Sequence, residues 1–230
     1  MHKGYDGNTG EMGGTIELQF FNNYSESAND WELVLYLKSD NNTYIRKVTN
    51  EPLFTADSWN NITLTYDGGN DHNSVKFYKG ATVVSTDGYN PNNGVTFYGV
   101  GNDPDEPIII GGKYPLGGMN NIEGALSGNI GSLSLWSVAL ESNELQNILN
   151  NGVQSNGTGL VGNWNFNLGS GDVLEDLSSN ESDGVIVGAT WDDQFATLVS
   201  SDLETNFTPI SDLTDNTEYH WQVTASDQSG

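Results

Sequence analysis

Between Asp176 and Gly184 the chain reads Asp-Leu-Ser-Ser-Asn-Glu-Ser-Asp-Gly. Asp176, Ser178, Asn180 and Asp183 bring carboxylate, hydroxyl and amide oxygens into one short stretch, with the Asp172 and Glu175 carboxylates just before it. A hard cation such as calcium takes about six to eight oxygens from carboxylates, amides and turn carbonyls, so this run is a candidate calcium loop. It is not an EF-hand: Glu181 stands where that loop needs glycine, and the closing glutamate is missing. The same residue types also build ordinary turns, in which Asp, Asn and Ser side chains bond neighbouring amides. Both readings stand at this point. Asp67-Gly-Gly-Asn-Asp71 poses the same choice more weakly, and a hairpin turn accounts for it.

A second chemistry is sugar recognition, which sets an aromatic ring against the apolar face of a pyranose beside amides and carboxylates that bond its hydroxyls. Tyr89 next to Asn90, Tyr98, and Tyr114 in a Gly/Asn-rich stretch running to Asn120 and Asn121 fit that description and form the candidate ligand-binding set. Catalysis finds less. Glycoside hydrolysis needs two carboxyl groups about 5–10 Å apart. The densest acidic cluster, Asp103-Pro-Asp105-Glu106-Pro107, reads as a loop because of its prolines. His2, His72 and His220 are scattered, with no metal-ligand or triad spacing. The expectation is no enzyme.

Composition narrows the partners. Formal charge is −24, and all seven basic residues, Lys3, Lys38, Arg46, Lys47, Lys76, Lys79 and Lys113, lie in the first half. Such a surface repels phosphate backbones and anionic membranes, so nucleic acid is excluded as a partner, and bound cations are a natural compensation. Absence of Cys removes disulfides, thiolate metal sites and thiol nucleophiles together. It also favours a bacterial over a eukaryotic extracellular source. No apolar stretch approaches the roughly 18 residues of a membrane helix, so no membrane insertion is expected. The Met-His-Lys-Gly start lacks a signal-peptide pattern and reads as a slice of a longer protein.

The elements that must position these groups are strands. Ile16, Leu18 and Phe20 alternate with polar residues, as do Trp31, Leu33, Leu35 and Leu37, and then Ile62, Leu64 and Tyr66. Val75 to Val84 reads as a hairpin around Lys79-Gly80, and Ile108-Ile-Ile110 as a short buried strand. Leu145, Ile148 and Leu149 share a helical face, with Ser142 as N-cap and Gly152 as stop. Trp31, Trp59, Trp136, Trp164 and Trp191 fall in strand patterns and are assigned to the core. One short helix near 141–151 among many strands gives an all-β fold, a two-sheet antiparallel β-sandwich.

Gly128-Asn-Ile-Gly-Ser-Leu-Ser-Leu-Trp136, Gly159-Leu-Val-Gly-Asn-Trp164-Asn-Phe166, the Asp176 run and Gly188-Ala-Thr-Trp191 resemble, in order and spacing, the closing segments of laminin-G-like domains. Trp59-Asn-Asn-Ile-Thr-Leu-Thr-Tyr66-Asp-Gly resembles their central strand and turn. The resemblance covers most of residues 12–192 and implies a concanavalin A-like jelly roll over 1–192, with calcium at rim loops in many relatives. The glucanase signature Glu-x-Asp-x-x-Glu is missing, and the pentraxin paired-calcium run is replaced by Lys113-Tyr114-Pro115. The Trp164–Trp191 segment, which often opens such domains, comes last here. It is expected to close the sandwich as late strands or to replace a first strand. Residues 193–230, with Tyr219, Trp221, Val223 and Ala225 alternating, resemble part of a fibronectin type III domain. Together these imply a non-catalytic recognition module of a larger secreted or surface protein, its partner a glycan or an extracellular protein. A calcium-stiffened structural spacer is the alternative.

Overall fold

The computed structural model describes residues 2–3, 16–22, 31–40, 43–50, 53–54, 58–89, 95–101, 107–112, 125–166 and 169–192. Among them run thirteen strands: β1 (His2–Lys3), β2 (Ile16–Asn22), β3 (Trp31–Lys38), β4 (Tyr44–Thr49), β5 (Ile62–Tyr66), β6 (Val75–Lys79) and β7 (Thr82–Val83), then β8 (Thr86–Tyr89), β9 (Ile108–Ile109), β10 (Ser132–Trp136), β11 (Leu160–Asn165), β12 (Val173–Leu174) and β13 (Gly184–Val185). The one α-helix among the described residues, α1, spans Ser142–Asn151, and a short 3-10 turn covers His72–Ser74. All pairings are antiparallel. A six-stranded sheet has the order β8-β4-β3-β2-β1-β9, a three-stranded sheet the order β5-β6-β7, and β10-β11 and β12-β13 form separate ladders. The chain is therefore mostly β, as its alternation requires.

Alternation decides which side chains meet. Leu33, Leu35 and Leu37 of β3, Ile45 of β4, and Val75 and Phe77 of β6 are buried in one apolar cluster with Leu53 and Phe97. Ile16 and Leu18 of β2 and Ile62, Leu64 and Tyr66 of β5 pack against it. Both larger sheets thus contribute a face to the same core, and that shared burial is the main stabilising term. Phe20, expected inside, is 47% exposed and meets Phe54 edge-on with ring centroids 4.7 Å apart. Ile109 is buried, but Ile108 and Ile110 are exposed, so that strand follows period-two alternation instead of being buried throughout.

The opposite face of β6 is closed by the helix. Tyr78 points away from Phe77 and is buried with Leu140 and Leu145, with Trp136 and Ile148 packed alongside. The N-cap is Glu141, not Ser142: the Glu144 carboxylate accepts the Glu141 N–H at 2.8 Å and satisfies an otherwise orphaned donor. Gly152 ends the helix at φ 76°, and its N–H reaches the Ile148 carbonyl at 2.8 Å. The expected hairpin turns at Gly80 and Ala81, pairing Lys79 with Thr82. Near the end of the described chain, β11 pairs with β10 and β12 with β13, and neither ladder joins a larger sheet among the described residues. Residues 193–230 lie outside the described residues.

Candidate functional site

Three strands of the large sheet turn one face to the shared core, and the opposite face carries a second set of side chains, polar and aromatic among them. Register brings Glu17 opposite Tyr36, Tyr36 opposite Arg46, and Arg46 opposite Tyr89, a row across β2, β3, β4 and β8. Three strand spacings make that row about 14 Å long. The adjacent row is Gln19, Val34, Val48 and Asp87, and Tyr44 stands opposite Lys38. Antiparallel partners put their side chains on the same face, here the one turned from Leu33, Leu35 and Leu37.

This face is lined, not bare. The chain's single arginine donates its Nε–H to the Tyr36 hydroxyl at 3.2 Å, with its guanidinium carbon 5.9 Å from that ring's centroid. The Tyr36 and Tyr44 rings lie 6.2 Å apart at 53°. Gln19 donates its side-chain N–H to the Glu17 carboxylate. Val34 is 2% exposed and Glu17 5%, so the floor is recessed even though it faces away from the shared core. Aromatic rings, a forked cation, an amide and a carboxylate on a recessed floor match what recognises a polar ligand with apolar faces.

Of the predicted ligand residues, Tyr89 joins this row by its backbone register. Tyr98 is 79% exposed, and its segment is tied to the same sheet by the Gly101 N–H, which reaches the Lys38 carbonyl at 2.8 Å. Asn90, Tyr114, Asn120 and Asn121 lie outside the described residues. Sequence reasoning missed Glu17, Tyr36, Tyr44 and Arg46. For Glu17 and Tyr36 the signal was there, at off-core positions of recognised strands, whereas Tyr44 and Arg46 lie on β4, whose buried positions Ile45, Lys47 and Thr49 carry no apolar alternation.

The four residues proposed for calcium do come together, and their hydrogen bonds run inward. Asp176 Oδ1 accepts the Asn163 N–H at 2.8 Å and the Ser178 N–H at 2.9 Å. Its Oδ2 accepts the Ser178 hydroxyl at 2.8 Å and the Ser182 N–H at 2.9 Å. Asp183 Oδ1 accepts the Asp176 N–H at 2.9 Å. Asn180 directs its amide N–H groups at the Val161 and Leu160 carbonyls, 2.9 and 3.2 Å away. Burial alone raises the Asp176 pKa, but the three amides and the hydroxyl outweigh it and hold the carboxyl below its usual value. Among the described residues, no three His, Cys, Asp or Glu side chains gather as a metal-holding group. The Asp67 loop is a turn: Asp67 Oδ1 accepts the Gly69 N–H and Asp71 Oδ1 the Asn73 N–H.

The tryptophans depart from their expected core role. Trp59 is 53% exposed, and Trp136, Trp164 and Trp191 are half-buried. Each of the first three lies against a glycine, Gly131, Gly157 and Gly162 respectively. Trp191 instead anchors by its indole N–H to the Gly171 carbonyl at 2.7 Å. The fold is thus a mostly antiparallel β protein with one described helix and a lined outer sheet face. No family model, curated protein or solved structure matches the chain.

Proposed function

We propose that the chain is a non-catalytic recognition module of a secreted or cell-surface protein, binding an uncharged glycan across the outer face of the six-stranded sheet. The observation that carries this reading is the row Glu17–Tyr36–Arg46–Tyr89, which sets two tyrosine positions, a guanidinium and a carboxylate side by side on adjacent strands. A sugar presents an apolar ring face to tyrosine and hydroxyls to Arg, Gln and Glu. A net charge of −24 disfavours polyanionic glycans over neutral ones. The row offers one carboxylate, where glycoside hydrolysis uses two. Two sheets sharing a core support the finer fold reading, a laminin-G-like jelly roll.

The test is a glycan array probed with the wild-type chain and with Arg46→Ala and Tyr36→Ala, each in calcium and in chelator. Selective loss of a wild-type signal in both variants, with circular dichroism unchanged, supports the site. Signals that survive both substitutions place binding elsewhere. A blank array overturns the glycan reading in favour of a protein ligand or a structural spacer.

A further inference from the structure

The Asp176 loop bears on what this domain needs in order to stay folded. A carboxylate offers about four lone-pair sites on its two oxygens. At Asp176 all four are met by the positive ends of donors: three backbone N–H groups and the Ser178 hydroxyl. A cation placed there would face hydrogens instead of oxygens. Two neighbouring oxygens also accept backbone N–H groups, and one neighbouring amide presents its nitrogen. Ser178 Oγ accepts the Asn180 N–H at 3.2 Å, Asp183 Oδ1 holds the Asp176 N–H, and Asn180 turns its amide nitrogen to two carbonyls of β11. As arranged, this donor set fits an anion at the centre and does not fit calcium.

The result is a knot that spans elements. The Asn163 and Leu177 N–H groups, reaching the Asp176 carboxylate and the Asn163 carbonyl, bind the turn to β11 at 2.8 Å each. The Trp164 indole N–H reaches the Ser182 carbonyl at 3.2 Å, from the same strand. Asp176 and Ser178 are 5% and 6% exposed, although the loop joins two very short strands. We propose that residues 176–183 form a metal-independent clasp, in which the Asp176 carboxylate does the organising that a bound cation does elsewhere, so that the β11–β13 end of the domain holds its shape without divalent ions.

Thermal melts of the full 230-residue chain, in calcium and in chelator, test this on the wild type, Asp176→Asn and Ser178→Ala. Asparagine keeps the size but loses the charge and turns an amide at two of the four donors. The expected drop is about 4–12 °C for Asp176→Asn and a smaller one for Ser178→Ala. Calcium should move all three chains alike, or not at all. If calcium raises the wild-type melting temperature and that gain vanishes in Asp176→Asn, the loop is a cation site and the proposal falls. It falls equally if Asp176→Asn melts with the wild type. Should Asp176→Asn fail to fold, the same calcium comparison on Ser178→Ala decides.

Discussion

Gly162→Ala is the sharpest test of how the clasp is supported. Gly162 lies inside β11, buried, opposite Leu135 of β10. A Cβ built there would stand 2.2 Å from Trp164 Cη2 and 2.8 Å from its Cζ2 and Cζ3. Carbon atoms in contact rest at about 3.5–4.0 Å, so the indole has to move by more than an ångström. It cannot do so and keep its 3.2 Å bond to the Ser182 carbonyl. Overpacking costs about 1–3 kcal/mol and the lost bond about 0.5–1.5, while the stiffer unfolded chain returns about 0.4–1. The net is about 2 kcal/mol, which lowers the melting temperature by about 4–8 °C in a chain of this size. Circular dichroism melts give the shift, and tryptophan fluorescence reports the displaced indole. The decisive control repeats the substitution on a Trp164→Ala background, which removes the three atoms nearest the added methyl group, so the penalty should disappear. An equal loss in both backgrounds, or no loss in the wild type, refutes the steric argument.

Acid should weaken the clasp. Because the folded Asp176 carboxyl titrates below its unfolded value near about 3.9, its contribution is complete above that pH and is lost as pH falls through the folded value. Urea midpoints should therefore drop in the wild type below about pH 4 and change less in Asp176→Asn; parallel acid limbs would contradict this. Lys47 is 5% exposed on the core face of β4, and burial lowers its pKa against the opposing pull of Asp71 and Asp87. Lys47→Met should leave the urea midpoint unchanged or raise it, since Asp87 is exposed, Asp71 is half-buried and neither becomes a stranded charge. A clear loss would show that the amine holds the two sheets together. Thr49→Val removes the acceptor of the buried Leu33 N–H at 3.0 Å and should cost about 1–3 kcal/mol by chemical denaturation, with Thr49→Ser retaining most of it.

Strand identity was legible because period-two alternation is a local signal. Ile16 and Leu18, Leu33, Leu35 and Leu37, and Ile62 and Leu64 all reach the shared core they were assigned to. Pairing is not local. Nothing in the chain announces that Arg46 and Tyr89 are register partners, so the row on the outer face emerges only once four strands are set side by side. The tryptophans show a different limit. Their size argues for burial, yet a large flat ring is also accommodated at the surface where a glycine leaves room for its edge, as at Gly131, Gly157 and Gly162. The sequence carries a trace of this only at Gly162 and Trp164, which share a block, while Trp59 and Trp136 meet glycines from distant segments.

The Asp176 run teaches the most about reading oxygens. The fold gathers Asp176, Ser178 and Asp183 as acceptors, while Asn180 acts through its amide nitrogen. What spacing cannot supply is the direction of the protons. Three backbone amides turned toward one carboxylate make an anion site out of a run that, on residue types alone, suits a cation equally well. Backbone conformation decides between them, and Glu181, held at φ 51°, marks the place where the loop bends back. Its left-handed conformation sits immediately before Ser182, whose N–H then completes the shell around Asp176. A glycine at 181 would adopt that conformation at no steric cost. Non-glycine residues persist there only when the surroundings hold them, and here the closed hydrogen-bond shell does the holding.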